Sequence, residues 1–232
     1  MKKTVIIFML IAFAKLTVAG LVPWGLWQTA GDELPTEVGL YHLETNMLDE
    51  ISETYGYTSG IYTNDCKVGD YAAYFNGSTV ANTVNSTLLN GKTNVTISAW
   101  VKIHSWPQNG GLIYSRWSEW GCSGWDTQAS THKIRFQDNA AYRCYAIVDS
   151  GTWYFIVVTF AGGVESRMYV NGELKDTGDA SATFHQADVF RLAYDDEIST
   201  RKSHCSIDEI GLWDTCLTSN QQYNLYIQLG GE

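Results

Sequence analysis

From Val38 onward the chain breaks into short runs of Val, Ile, Thr, Tyr and Phe separated by Gly, Asn and Asp, and no helical spacing of apolar residues persists for three turns. β-branched and aromatic runs between turn-forming residues predict strands. Thr96 to Ile103 alternates most clearly: Ile97, Ala99, Val101 and Ile103 fall on one side, Thr96, Ser98, Trp100 and Lys102 on the other. Trp100 gives the second side an apolar group too, so both faces are expected to be partly covered. Trp153 to Phe160 is nearly all apolar, as an inner strand covered on both faces requires. Arg167 to Val170 runs into Asn171-Gly172, which predicts a hairpin because a type I′ turn needs positive φ at both central residues. Ser206 to Trp213 reads as the last strand. The stretch 218–229 reads as one short helix capped by Ser219, with Tyr223 and Tyr226 on one side. The pattern is all-β, and 232 residues suffice for one such domain.

The beginning of the chain departs from this pattern. Lys2 and Lys3, an apolar run from Val5 to Ala14, and Thr17, Val18 and Ala19 before an expected cut give residues 1–19 the form of a secretory signal peptide. The run is too short for a membrane span, which needs about 20 residues, and no later segment approaches that length. Residues 20–36 contain Pro23, Gly25, Gly31 and Pro35 without any period and are expected to form an extended lead-in to a domain at 37–230. Removal of the peptide leaves 12 basic against 25 acidic residues, a net charge of −13. With no Lys/Arg cluster to neutralise phosphates, nucleic acid is excluded as a partner. An acidic, secreted, extracellular domain suits Ca²⁺ or neutral ligands instead.

Candidate chemistry concentrates in a few places. Trp117, Glu119, Trp120, Trp125 and Asp126 fall in ten residues of predicted loop. Flat aromatic faces beside carboxylates are the groups that bind sugars, by stacking on C–H surfaces and accepting hydroxyl hydrogen bonds. Trp117, Trp120, Trp125 and Asp126 are therefore the candidate ligand contacts. The alternative is that the tryptophans pack under the open end of the fold. Asp195, Asp196 and Glu197, with Asp208, are the candidate Ca²⁺ ligands, since hard cations take several oxygens, and Asp126 and Asp138 would complete such a set. Sequons stand at Asn76, Asn85 and Asn94. Catalysis is not expected. Asp208 and Glu209 are adjacent in a strand and should point to opposite faces, so they cannot act as a facing acid pair, and there is no H-E-x-x-H or G-x-S-x-G.

The segments EVGLYHLE (37–44), YAAYFNGS (71–78), VTISAWVKI (95–103), GLIYS (111–115), GTWYFIVVTF (151–160), RMYVNGELK (167–175) and SIDEIGLWD (206–214) occur in an order that resembles laminin G-like domains of the concanavalin A-like lectin group. The resemblance spans about residues 37–229. It implies a two-sheet antiparallel jelly-roll β-sandwich and an extracellular, non-catalytic module that binds glycans or glycoproteins, often with Ca²⁺ at its rim. A protein-binding adhesion module is the alternative it leaves open. In the I-D-E motif the resemblance implies that Asp208 holds a neighbouring loop. It also implies that the strand containing Ala73 lies beside the strand containing Glu209. If those two residues face each other, Cys66 faces Cys216 and the pair can bridge. Cys122 and Cys144 flank a strand and could close a second bridge, leaving Cys205 free.

Overall fold

A computed structural model describes residues 33–59, 61–82, 88–106, 109–116, 122–139, 141–186, 189–194 and 201–232. Strands come first as short pieces: β1 (Gly39–Tyr41), β2 (Leu48–Asp49), β3 (Thr54–Tyr55), β4 (Tyr57–Thr58), β5 (Ile61–Thr63), β6 (Ala72–Asn76) and β7 (Ala81–Asn82). Longer strands follow: β8 (Asn94–Ser105), β9 (Gly111–Arg116), β10 (Cys122–Gln128), β11 (Lys133–Asp138), β12 (Ala141–Ile147) and β13 (Trp153–Ala161). The chain ends with β14 (Glu165–Val170), β15 (Glu173–Gly178), β16 (Arg191–Leu192), β17 (His204–Trp213) and the helix α1 (Ser219–Gln228).

Among the described residues these strands form two large antiparallel sheets and a separate β2-β3 ribbon. The first has the order β15-β14-β13-β8-β17-β6-β5, with β1 also on β17; the second runs β12-β11-β10-β9-β16-β7-β4. This is the jelly-roll sandwich that the resemblance to laminin G-like domains implies. Apolar residues that alternate along each strand fill the space between the sheets: Ile97, Ala99, Val101 and Ile103 from β8, Ile156, Val158 and Phe160 from β13, and Trp125, Ile134 and Phe136 from the second sheet. Burying large side chains at about 1.5–3 kcal/mol each is the main force holding the two layers together. Asn171 and Gly172 have φ of 52° and 77°, the hairpin conformation expected between β14 and β15.

The outer face of the first sheet is covered as well. Trp100, Phe155, Tyr169 and Trp213 form a second apolar cluster with Leu217, Leu225 and Tyr226. Helix α1 supplies two of those residues. Its cap is Thr218, one residue earlier than expected: the Thr218 hydroxyl accepts from the Gln221 N–H at 3.2 Å while the Gln221 side chain accepts from the Thr218 N–H at 2.9 Å. Trp100 Nε1 then donates to the Leu229 carbonyl at 2.9 Å, and Trp213 Nε1 to the Pro35 carbonyl at 3.1 Å. Tyr226 is buried there, but Tyr223 is half exposed, so only one of the two faces the sandwich.

The pairing of β6 with β17 differs from the expected register. Ala73 lies opposite Ile207, two residues from Glu209. Cys66, Cys144, Cys205 and Cys216 are all free thiols. Cys66 sits in the loop whose next two amides bind Asp208, the residue across from Trp100, whereas Cys216 contacts Asn94 and the Phe160 carbonyl. Trp100 and Asn94 stand six residues apart on β8, a separation of about 20 Å at 3.3 Å per residue, against the ~7 Å limit for a bridge. The Cys66–Cys216 bond is thus ruled out by geometry. Cys144 lies in the core on β12, two strands away from β10, and is likewise unbridged.

Candidate functional site

Trp125 and Asp126 are not on a loop. They stand in the middle of β10, paired with β9 on one side and β11 on the other. Alternation sends the two to opposite faces. Trp125 is wholly buried between the sheets and belongs to the core, so the packing reading holds for it and it is not a ligand contact. Asp126 points to the outer face of the second sheet. Trp117 and Trp120 lie outside the described residues.

On that outer face the register assembles a strip of groups the sequence analysis did not single out. Arg191, Tyr114, Gly124, Gln137 and Tyr142 align in one row across β16, β9, β10, β11 and β12. Gly124 has φ of +122°, and a Cβ there would approach the Ile113 carbonyl oxygen to 2.2 Å, so a glycine is required. With no side chain between them, the Tyr114 hydroxyl reaches across the strand and donates to Gln137 Oε1 at 3.0 Å. The adjacent row holds Asp126, Arg135 and Tyr145. Arg135 grips Asp126 with two parallel bonds, Nε to Oδ1 at 2.9 Å and Nη2 to Oδ2 at 2.5 Å, and each side chain is about nine-tenths buried. Cations then cover aromatic rings: the Arg135 guanidinium lies 3.9 Å from the Tyr142 ring centre, and Lys133 Nζ lies 3.6 Å from that of Tyr145.

Exposure falls across the strip. Tyr142 and Tyr145, on the edge strand β12, are 55% and 43% exposed, while Tyr114, Asp126 and Gln137 behind them are buried. The result is two aromatic side chains at the surface backed by a polar layer whose partners are satisfied. A legible signal existed. In K-I-R-F-Q-D (133–138) Lys133, Arg135 and Gln137 take one parity and Ile134 and Phe136 the other, and Tyr145 and Ile147 likewise oppose Cys144 and Ala146, whereas Tyr142 shares the parity of Cys144 and joins the outer face only through the register shift at Phe136/Gln137.

The acidic candidates resolve differently. Asp208 is wholly buried on β17, and its Oδ2 accepts from the Lys67 and Val68 amides at 2.9 and 3.1 Å. It ties down a loop, as the resemblance implies, and is not available as a Ca²⁺ ligand. Burial pushes its carboxyl up to about 7. Asp138 is also buried and engaged, accepting from the Ser181 and Ser123 hydroxyls with Arg143 nearby at 3.7 Å. Asp195, Asp196 and Glu197 lie outside the described residues, and among the described residues no three His, Cys, Asp or Glu side chains converge to hold a metal. Asn76 and Asn94 are exposed at a strand end and a strand start; Asn85 lies outside the described residues.

Asp208 and Glu209 do not point to opposite faces. A bulge between Asp208 and Gly211, with Glu209 at φ of 52°, inserts an extra residue, so that Ile207 and Ile210 both enter the core while the two acids between them leave it. Glu209 bonds His42 Nδ1 at 2.7 Å, and the two line a cleft of about 190 Å³ with Leu34, Ser98, Trp213 and Leu225. The cleft is smaller than the ~300–1,000 Å³ of ordinary small-molecule sites.

Comparison with known proteins agrees with this architecture. A search of curated sequences gave no match. Domain 4 of AbnA, a GH43 extracellular arabinanase from Geobacillus stearothermophilus solved with arabinotriose, superposes with a TM-score of 0.65 at 17% identity, covering 82% of this chain and 98% of that domain. A Trypanosoma rangeli sialidase gives 0.63 at 17% identity, covering 88% of this chain and 34% of the sialidase. The botulinum neurotoxin serotype G binding domain gives 0.62 at 17% identity, covering 83% of this chain and 51% of that one. The chain thus spans about the whole of the first of these and a third to a half of the others. The family model of the concanavalin A-like lectin/glucanases superfamily matches residues 73–221, from β6 through both sheets to the start of α1, and the chain belongs to that superfamily.

Proposed function

We propose that this chain is a secreted, non-catalytic carbohydrate-binding module that holds its ligand on the outer face of the second sheet, at Tyr142, Tyr145, Arg135 and Gln137. The observation that carries the reading is the pair of exposed tyrosines on β12 in front of a hydrogen-bonded polar layer. Exposed rings offer C–H stacking, and fixed polar groups beside them orient hydroxyls. The arabinotriose complex of the GH43 domain, 98% of which this chain covers, supports a sugar as the ligand class. Export rests on the signal-peptide pattern of residues 1–19. A non-catalytic role is supported by the prior commitments of the acids: Asp126 to Arg135, Asp208 to a loop, Glu209 to His42.

A glycan array followed by titration with the strongest hit tests the proposal. Replacing both Tyr142 and Tyr145 by Ala should weaken binding about fivefold or more, from ~0.5–1.5 kcal/mol per ring, with the fold intact because both are exposed. Absence of any glycan signal, or full binding by the double variant, would sink it. Ile147, 69% exposed beside the tyrosines, favours a second reading as a protein-binding patch. Capture of a deglycosylated surface protein, lost on Ile147→Asp, would support that reading instead.

A further inference from the structure

We infer that the β11–β12 face selects anionic sugars, those carrying a carboxylate or sulfate, over neutral ones. The inference rests on the carbohydrate-binding reading above and names its ligand class. The whole chain carries a net charge of −10, so a field summed over the molecule would repel such a ligand. Recognition at contact range, however, is decided locally, because charges more than about 10 Å apart are screened at 0.1 M salt.

Within the strip itself the described cations, Lys133 and Arg135, outnumber the one described acid, Asp126. Side chains alternate along the edge as Tyr142, Arg135, Tyr145 and Lys133, each cation lying over the neighbouring ring. One acid is present in the strip, Asp126, and Arg135 neutralises it with Nε and Nη2. Lys133 has no carboxylate partner among the described residues. Nearby on β15, Asp176 accepts from the Tyr145 and Thr177 amides through its two oxygens, and its formal negative charge, which neutral amides do not cancel, stands just beyond the edge of the strip. Among the described residues Lys133 is thus the cation of the strip without an ion pair, while Arg135 bonds Asp126 through Nε and Nη2.

The rings add a steric argument. A neutral sugar stacks on a bare aromatic face, but here one face of each tyrosine already carries a cation at 3.6 and 3.9 Å. An acidic sugar uses what is in place: a ring for its C–H surface, and beside it an ammonium with free donors for its charged group. Lys133 and Arg135 project from one side of β11, about 7 Å apart, so a single charged sugar residue can meet the two. Hydrogen bonds in which both groups are charged are about twice as strong as neutral ones, which turns the arrangement into a preference.

Matched oligosaccharides separate the alternatives. Tetragalacturonate and its methyl ester differ only in charge; a sulfated galactan oligosaccharide and its desulfated form do the same for sulfate. In at least one pair the charged member should bind the purified protein about tenfold more tightly at low salt, with the ratio narrowing as salt is raised. Lys133→Gln should bring the ratio close to one. Lys92→Gln, which removes a cation paired with Asp214 elsewhere on the surface, should leave it unchanged. Equal binding of charged and neutral members would overturn the inference and leave the carbohydrate-binding reading standing. Loss of all sugar binding in the unmodified protein would remove both. Equal retention of a single-stranded oligonucleotide would also overturn it, in favour of a surface for any polyanion.

Discussion

His42 and Glu209 meet on the outer face of the first sheet, Nδ1 to Oε2 at 2.7 Å, with the Glu209 side chain 2% exposed and Glu50 closing on the other ring nitrogen at 3.4 Å. The Glu209 hydrogen bond outweighs burial and raises the His42 pKa from 6.5 to about 9. Because the folded value lies above the unfolded one, the stabilisation is fully present below pH 6.5 and is lost as pH rises through 9. His42 is about one-third exposed, so solvent screening reduces the contribution to about 1 kcal/mol. Calorimetric melting from pH 7.5 to 9.5, above the range in which Asp208 titrates, should show a decline in Tm that His42→Gln removes. Parallel curves for the two proteins would contradict this account of the pair.

Asp208 has the opposite chemistry but the same sign. Its carboxyl is raised from 3.8 to about 7 by burial, so its share of stability is present below pH 3.8 and lost as pH rises through 7. Asp208→Asn keeps an acceptor for the Lys67 and Val68 amides without burying a charge. At pH 8 it should be at least as stable as the parent in urea, and the slope between pH 4 and 7 should flatten. Asp208→Ala leaves both amides unpaired and should cost about 1–3 kcal/mol.

Breaking the Asp126–Arg135 pair should be expensive. Asp126→Ala leaves a guanidinium nine-tenths buried with no counter-charge, a loss of about 3–5 kcal/mol by comparison with other buried pairs. Gly124→Ala should cost at least 1–2 kcal/mol, since the left-handed φ and the Ile113 carbonyl both reject a Cβ, roughly as other incompatible Gly→Ala changes do. Denaturant midpoints measure both; a loss under ~0.5 kcal/mol in either would show that the strip is not rigid.

Free thiols are expected at Cys66, Cys144, Cys205 and Cys216. Burial pushes the Cys144 and Cys205 thiols well above their usual range, and Cys66 and Cys216 are the more accessible pair. In the native state alkylation should reach Cys66 and Cys216 first, all four should label after unfolding without reductant, and reductant should not change Tm. A cross-linked Cys66–Cys216 peptide in a non-reducing digest would refute the register described here.

The sequence alone determined the fold class, the inner strands β8 and β13, the Asn171-Gly172 hairpin and the terminal helix, because each of these follows from a local rule. Alternation selects a face, positive φ selects Asn and Gly, and a polar cap opens a helix, although the cap is Thr218 and not the expected Ser219. Local rules stop at pairing. Whether Ala73 meets Ile207 or Glu209 is a register of two residues between strands more than a hundred positions apart, and that register alone decides whether Cys66 approaches Cys216. The bulge at Glu209 broke the period-two rule just where two acids were expected to diverge. Asp126, read beside three tryptophans as one sugar-binding loop, turned out to belong with Arg135, Tyr142 and Tyr145. Trp125 beside it went to the core because neighbours along a strand face opposite ways, whereas neighbours across a sheet share a face, and which strands become neighbours is decided only when the two sheets close on their common core.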